Sequence, residues 1–150
     1  MPVRVQTEDF DLTAEAEALG ANGAAGAVVT FTGHVRGGPD DVEAMTLEHY
    51  PGMTETALSE IEAEAMARWP LTGALIIHRV GRLLPGERIM MVATASPHRA
   101  AAFEAAEFLM DYLKTRAPFW KKEEIGGEGR WVDAREEDDE AAAKWADAER

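Results

Sequence analysis

Two strand segments joined by a Pro-Gly turn constrain the fold of this chain more than any other feature of its sequence. Residues 73–80 and 87–95 are predicted strands, and residues 84–87 lie between them as a turn. Pro85 fixes its own φ and Gly86 accepts a positive φ, which is the pattern of a type II turn. The segment therefore predicts two consecutive strands connected by a tight turn.

A long helix is predicted directly after the second of these strands. Ser96 is its predicted N-cap and Pro97 its first residue, a position where the missing N–H of proline removes no helical hydrogen bond. The helix is predicted to end near Thr115, and Pro118 follows. The side chains predicted to face the core are Phe103, Ala106, Leu109, Met110 and Leu113.

The remaining segments favour an α+β fold over a doubly wound parallel sheet, because hairpins predominate over helical crossovers. Further strands are predicted at 3–6, 26–35, 43–50, 119–125 and 130–132, and further helices at 11–19 and 54–69. Segment 26–35 has the β-branched and aromatic composition of a largely buried strand. Thr54 is a predicted N-cap. The tail, at about 136–150, is predicted to be an acidic helix with Trp145 as its one large apolar residue.

Length and composition predict a single domain over residues 1–150, and 46% hydrophobic residues suffice for a core. No segment approaches the roughly 20 apolar residues that span a bilayer, and residues 1–10 lack the apolar region of a signal peptide. We therefore expect a cytoplasmic protein. The chain contains no Cys, so it cannot carry a persulfide, a zinc thiolate or an iron–sulfur cluster on its own thiols.

The charge distribution is uneven. The net charge of −13 argues against a non-specific nucleic-acid binder, which needs a broad basic surface. Residues 78–122 nevertheless contain eight Lys or Arg against four acidic residues, so this segment carries +4 and the rest of the chain −17. Two interpretations stay open at this point: ordinary solvated faces, or a compact anion site in an acidic protein.

The start of the long helix contains a local conflict with stability. His98 and Arg99 are predicted near its second and third positions, where cations oppose the positive end of the helix dipole. Basic side chains together with exposed backbone N–H groups form an anion site, most naturally for phosphate. The alternative is that Arg99 pairs with one of the many acidic residues. Arg36, which ends a strand beside glycines, is a weaker candidate for binding a phosphate or a carboxylate.

The lysines allow a functional and a structural interpretation. Lys114 lies in the last turn of the long helix, where the dipole favours a cation, so the structural interpretation is the stronger one. Lys121 shares a strand face with Phe119 while Lys122 points the other way. Desolvation could suit Lys121 to proton transfer, although a stem that covers Phe119 is the simpler interpretation. The four His have no metal-binding spacing, and no nucleophile-elbow or nucleotide-binding motif is present.

Several sequence blocks, in order along the chain, resemble the large subunit of molybdopterin synthase. They are TFTGHVRG (30–37), LEHYPGMTE (47–55), HRVGRLLPGE (78–87), SPHRAAAFEAAEFLMDYLKTRAPFWKKE (96–123) and RWVDAR (130–135). The resemblance implies an α/β-hammerhead fold with an additional antiparallel β subdomain, in a homodimer. It also implies a small ubiquitin-like partner on each large subunit, which makes a heterotetramer. The partner ends in a Gly-Gly thiocarboxylate that enters the large subunit's pocket.

The resemblance further implies a sulfurtransferase that converts cyclic pyranopterin monophosphate to the dithiolene of molybdopterin and needs no cofactor of its own. The absence of Cys agrees with sulfur that arrives on the partner. Matched residue by residue, the catalytic lysines are Lys114 and Lys121. The anion-binding residues are Arg36, His98 and Arg99, and the pocket-lining residues are Phe31 and Met110.

Two departures from the family pattern leave roles open. The loop after Arg36 is short and Gly-rich, and His34 stands where the family often has lysine. An alternative function is a non-catalytic module that docks a partner's tail in an anion pocket. The presence of both matched lysines argues against it, because such a module has no chemical need for them. The acidic tail could cover the active site or pack at a dimer face.

Overall fold

The computed structural model describes residues 2–37, 42–132, 140–143 and 145. Two four-stranded sheets and three helices make up most of these residues. In chain order the elements are β1 (Val3–Gln6), α1 (Leu12–Gly20), β2 (Ala27–His34), β3 (Val42–His49), α2 (Met53–Arg68), β4 (Gly73–Arg79), β5 (Gly81–Leu83), β6 (Arg88–Ser96), α3 (Arg99–Arg116), β7 (Phe119–Ile125) and β8 (Glu128–Val132).

The first sheet has the strand order β1-β4-β6-β2, with β1 parallel to β4 and the other pairs antiparallel. The predicted Pro-Gly turn is present: the Glu87 N–H donates to the Leu84 carbonyl at 3.0 Å, and Gly86 has φ 91°. Between β4 and this turn, however, the chain leaves the first sheet to form β5. This short strand belongs to the second sheet, so the turn joins the two sheets instead of closing a simple hairpin.

Helices cover both faces of the first sheet. Ile77 and Met91 pack with Phe10 on the α1 side, while Ile76 and Val92 face α2 and α3. Burial of these apolar side chains is the main source of stability for the layers. Among the described residues no helix is both long and apolar enough to cross a membrane.

Helix α3 runs back across the sheet after β6. Near its start the Ala102 carbonyl accepts a hydrogen bond from the Thr94 hydroxyl at 2.6 Å, and near its end Leu113 shares a core cluster with Met90. Thr94 lies near the end of β6 and Met90 near its beginning. The C-terminal end of α3 therefore lies over one end of the strands, where β6 begins and the antiparallel β2 finishes.

The second sheet is antiparallel throughout, with the order β5-β3-β7-β8. The predicted hairpin of β7 and β8 turns through Gly126 and Gly127, whose φ values of 60° and 81° suit residues without a Cβ. Met45 of β3 and Leu83 of β5 form a separate small core with Val35, which follows β2. The α+β prediction is confirmed, and this sheet is the additional antiparallel subdomain. That residues 1–150 form a single domain stays a prediction.

Three expectations about burial and about the start of α3 were wrong. Strand β2 is not largely buried, because it is an edge strand with β6 on one side only, and Phe31 is 44% exposed. The N-cap of α3 is His98, since Ser96 is the buried last residue of β6 and its hydroxyl donates to the His98 carbonyl. Phe103 is 61% exposed, and Phe108 occupies the core in its place.

Most of the predicted tail helix, 136–150, lies outside the described residues. Residues 140–143 and Trp145 are helical. The Trp145 indole packs edge-on against Trp69 and Phe108 and donates to the Asp111 carboxylate at 2.6 Å. This tryptophan is therefore held against α2 and α3 on the side of α3 that Trp69 contacts.

Candidate functional site

The two predicted catalytic lysines flank one short connection. Lys114 lies in the last turn of α3, and Lys121 is the third residue of β7. Pro118 explains the abrupt end of the helix, because a proline disfavours helical backbone in the residue before it. Ala117 is indeed extended, with φ −85° and ψ 128°. One lysine therefore lies near the end of a helix and the other in the following strand, and only two residues between these elements are outside regular structure.

Lys121 and Lys122 have different surroundings. Lys121 is half-buried and lies between Leu47 of β3 and Val132 of β8 in the sheet register. By strand alternation Lys122 points to the opposite face, where its ammonium lies 5.7 Å from the centre of the Trp131 ring. Gly129 makes room there, because a Cβ at that position would collide with the Lys122 stem. Only Lys121 therefore shares a face with Phe119.

A buried histidine lies beneath this face, and sequence reasoning did not single it out. The His78 imidazole stacks on the Phe119 ring with 3.8 Å between centres and 17° between planes. His78 Nδ1 lies 2.8 Å from the Arg79 carbonyl, which can only accept, so Nδ1 carries the proton. Burial is the main cause that lowers the pKa of His78 to about 4; nearby Lys114 and His49 contribute to this lowering, and the hydrogen bond to the Arg79 carbonyl opposes it. The ring is therefore neutral at pH 7, and Lys114 is close enough to influence it.

Thr54 is a second group that the sequence did not identify correctly. It was predicted as an N-cap, but Gly52 is the N-cap of α2 and Thr54 is fully buried. Its hydroxyl donates to the Pro118 carbonyl at 2.9 Å and accepts from the Tyr50 N–H at 3.0 Å. The connection between the two lysines is therefore attached to the end of β3 and the start of α2.

Arg36 lies near the same end of the molecule as Lys114. It follows β2, and the backbone just before it is paired with the turn before β6: the Val35 N–H donates to Glu87 at 3.0 Å, and the Gly86 N–H donates to Val35 at 2.8 Å. The His34 ring also contacts the Gly86 carbonyl, at 3.1 Å. The Arg36 side chain is exposed. Since α3 ends at this end of the first sheet, Arg36 lies at the same end of that sheet as Lys114.

His98 and Arg99 lie at the opposite end of α3. They occupy the N-cap and the first helical position, not the second and third as predicted, and both are exposed. The first turn of α3 contains no acidic residue, and within the described residues Arg99 forms no ion pair. Fifteen residues at 1.5 Å each separate Arg99 from Lys114 by roughly 22 Å. One chain therefore does not bring His98 and Arg99 to the lysines.

The two predicted pocket-lining residues lie between these ends. Phe31 pairs with Val92 in the sheet register, so it points to the α3 side of the edge strand, where 44% of it is exposed. Met110 of α3 is half-buried against the main core cluster. Phe31 therefore borders the open edge of the first sheet, and Met110 packs against the core beneath α3.

Other basic residues of segment 78–122 are paired with carboxylates. Arg88 donates two hydrogen bonds to Asp9, at 3.0 and 2.8 Å, which lowers the pKa of that carboxyl to about 2. Arg116 reaches Glu64 at 3.1 Å, and Arg82 reaches Glu124 at 2.9 Å. These three cations of the segment therefore form ion pairs with carboxylates, which agrees with ordinary solvated faces and not with an anion site.

The second sheet carries an aromatic cleft on the surface. Its lining residues are Glu48, His49, Tyr50, Trp120 and Trp131, around a volume of about 360 Å³. Trp120 lies next to Lys121 in β7 but points to the other face of the sheet. The described residues contain no group of three or more His, Cys, Asp or Glu side chains arranged to hold a metal ion.

Comparison with known proteins gives consistent matches. The family model described as MoaE protein matches residues 5–116. A molybdopterin synthase catalytic subunit from Cereibacter sphaeroides is 60% identical over 147 residues, which cover 97% of this chain and 100% of that protein. The structure of the molybdopterin biosynthesis MoaE protein from Burkholderia ambifaria MC40-6 has a TM-score of 0.83 and 59% identity, over 96% of this chain and 97% of that chain. A complex of subunits 1 and 2 of molybdopterin-converting factor from Helicobacter pylori 26695 contains a chain of the same fold, with a TM-score of 0.79 and 20% identity, over 90% of this chain and 92% of that chain.

Proposed function

The chain belongs to the MoaE protein family, and from this membership we propose that it is the catalytic subunit of a molybdopterin synthase. It transfers sulfur from the C-terminal thiocarboxylate of a small ubiquitin-like partner to cyclic pyranopterin monophosphate and forms the molybdopterin dithiolene. The observation that carries the proposal is the pair Lys114 and Lys121 on either side of one short connection. A cytoplasmic location is part of the same proposal.

The lysines act on the sulfur donor. A thiocarboxylate is an anion, and the ammonium groups of Lys114 and Lys121 stabilise it together with the negative charge of the intermediates. One of them transfers a proton in the step that releases the partner: the sulfur has formed a bond to a pterin carbon, water adds to the acyl carbon, the bond between sulfur and that carbon breaks, and the partner's tail leaves as a carboxylate. The sulfur is supplied by the partner because this chain has no Cys. A partner subunit agrees with the Helicobacter pylori protein, whose structure is a complex of two subunits.

The substrate phosphate binds to the cationic residues Arg36, His98 and Arg99, while Phe31 and Met110 line the pocket. Roughly 22 Å of helix separates Arg99 from Lys114. Within one chain, therefore, Arg99 and Lys114 cannot both contact one small substrate molecule. In a homodimer the first turn of α3 from one chain can lie next to Arg36 and the two lysines of the other. The complete site then belongs to two chains.

A complementation experiment tests this shared site. A Lys121→Ala chain and an Arg99→Ala chain, each inactive alone, are co-expressed with different tags. Half of the randomly assembled dimers are mixed, and each mixed dimer has one intact site, so about a quarter of wild-type turnover is expected. Turnover no higher than that of either variant alone would show that both residues must come from the same chain.

The function itself is tested by reconstitution with the thiocarboxylated partner and cyclic pyranopterin monophosphate. The dithiolene product is followed as its oxidised fluorescent derivative. Product that depends on this chain and on the thiocarboxylate is the expected result. If the folded chain binds the partner but forms no product, the sulfur-transfer proposal is wrong and the chain is a docking module.

A further inference from the structure

The distance between the two lysines depends on how two separate parts of the fold are joined. Lys114 belongs to α3, which packs on the first sheet, whereas Lys121 belongs to β7 in the second sheet. Only Ala117 and Pro118 connect these elements. Two lysines that act on the same sulfur must keep their spacing, because a displacement of about 1 Å at a reacting group can lower the rate by about 100-fold.

The Thr54 hydroxyl holds this connection through two hydrogen bonds, one donated and one accepted. It donates to the Pro118 carbonyl and accepts from the Tyr50 N–H, and the side chain has no exposed surface. Among side chains of this size only a hydroxyl can donate and accept at once. Valine has nearly the same shape but would leave both backbone groups without this partner. The α3–β7 connection, the end of β3 and the first turn of α2 therefore meet at one atom.

His78 supports the next residue of the same connection. Its ring stacks on Phe119, and its Nδ1 hydrogen bond to the Arg79 carbonyl fixes the orientation of that ring. His78 lies in β4 of the first sheet, while Phe119 opens β7 of the second. The stack thus sets the position of β7, and of Lys121 on the same face, against the sheet that carries α3.

Given the function proposed above, we propose that Thr54 and His78 are positioning residues that set the place of Lys121 relative to Lys114. Neither residue contacts the reacting atoms. Thr54 is a polar residue in a position where valine would fill the space, and burial of its hydroxyl is unfavourable without specific hydrogen bonds. The Thr54 hydrogen bond to Pro118 and the His78 stack on Phe119 reach two adjacent residues that lie between the two lysines.

Variants of Thr54 provide the first test, in the reconstituted assay with purified partner. Thr54→Val is expected to lower kcat by about 10- to 100-fold while the KM for the pterin stays within about twofold, because the substrate still binds but the lysines are misplaced. Thr54→Ser restores the hydroxyl and is expected to recover most of kcat. Unchanged kcat in Thr54→Val, or no recovery in Thr54→Ser, would overturn the proposal.

Thr94→Val is the matched control for loss of a buried hydroxyl. Thr94 is as buried as Thr54, and its hydroxyl donates to the Ala102 carbonyl near the other end of α3. We expect Thr94→Val to lower the melting temperature by about as much as Thr54→Val does. Its kcat should stay within about threefold of wild type, because the lysines are not displaced. An equal loss of kcat in both valine variants would show that Thr54 acts through general stability only.

Variants of His78 test the stack independently, in case Thr54→Val does not fold. His78→Phe keeps a flat ring on Phe119 and is expected to keep kcat within about threefold, whereas His78→Ala removes the ring and lowers kcat about tenfold. Loss of activity in both variants would make the imidazole itself the required group and refute a positioning role. If the wild-type chain formed no product in the reconstituted assay, the sulfur-transfer function itself would be refuted. This outcome is seen before any variant is compared.

Discussion

Replacement of Lys121 by alanine is expected to lower kcat by about 100- to 10,000-fold, and replacement of Lys114 to have an effect of similar size. Loss of one preorganised positive group near a developing negative charge has effects of about 100- to 1,000-fold, and loss of a proton donor adds to it. Both lysines are at the surface or only half-buried, so the variants should fold. Single-turnover kinetics with preformed partner complex measure the chemical step directly.

Lys122→Ala is the matched control for these two variants. Lys122 is the neighbour of Lys121 in the same strand and carries the same charge, but its ammonium lies over Trp131 on the opposite face. We expect kcat to stay within about threefold of wild type, because loss of this cation–π contact affects stability by only about 1 kcal/mol. If Lys122→Ala lost as much activity as Lys121→Ala, net charge and not the placement of Lys121 would explain the effect.

Acidification from pH 7 to pH 4 is expected to destabilise the wild-type fold by roughly 3 kcal/mol through His78 alone. The pKa of His78 is lowered from 6.5 to about 4, mainly by burial and in smaller part by nearby Lys114 and His49. Between these two pH values the unfolded chain binds a proton at His78 that the folded chain does not. The stability is therefore fully present above pH 6.5 and is lost as the pH falls towards 4.

Urea unfolding at several pH values between 4 and 8 measures this contribution. In His78→Phe the pH-dependent part should be smaller by the same roughly 3 kcal/mol, while carboxylates titrate equally in both proteins. Parallel curves for wild type and His78→Phe would mean that His78 protonates equally in the folded and unfolded states.

Local sequence signals predicted most of the secondary structure. Asp11 caps α1 through a side-chain hydrogen bond to the Ala14 N–H, as expected for an aspartate before a helix. Pro85-Gly86 forms its turn, and Pro118 ends α3. These signals act within a few residues of the chain, so they operate wherever the chain lies in the fold. The family resemblance likewise could be recognised from contiguous blocks of sequence.

Burial depended on the arrangement of the strands. The composition of β2 suggested a buried strand, but the strand order leaves it at the edge of the first sheet, so Phe31 is exposed. Composition does not decide burial in α3 either. Phe103 and Phe108 are equally apolar, and only the way in which α3 packs on the rest of the fold decides which of them enters the core.

The sequence by itself therefore determined the helices, the turns, the family and the identity of the charged residues, because each depends on neighbouring positions in the chain. Only the tertiary structure placed Thr54 under Pro118 and His78 under Phe119, since these contacts join residues 64 and 41 positions apart. The separation of Arg99 from Lys114, in contrast, follows from the predicted helix itself, because a straight helix holds its two ends apart by its own length. Contacts between distant segments depend on how sheets and helices pack together, and this packing is a property of the whole fold.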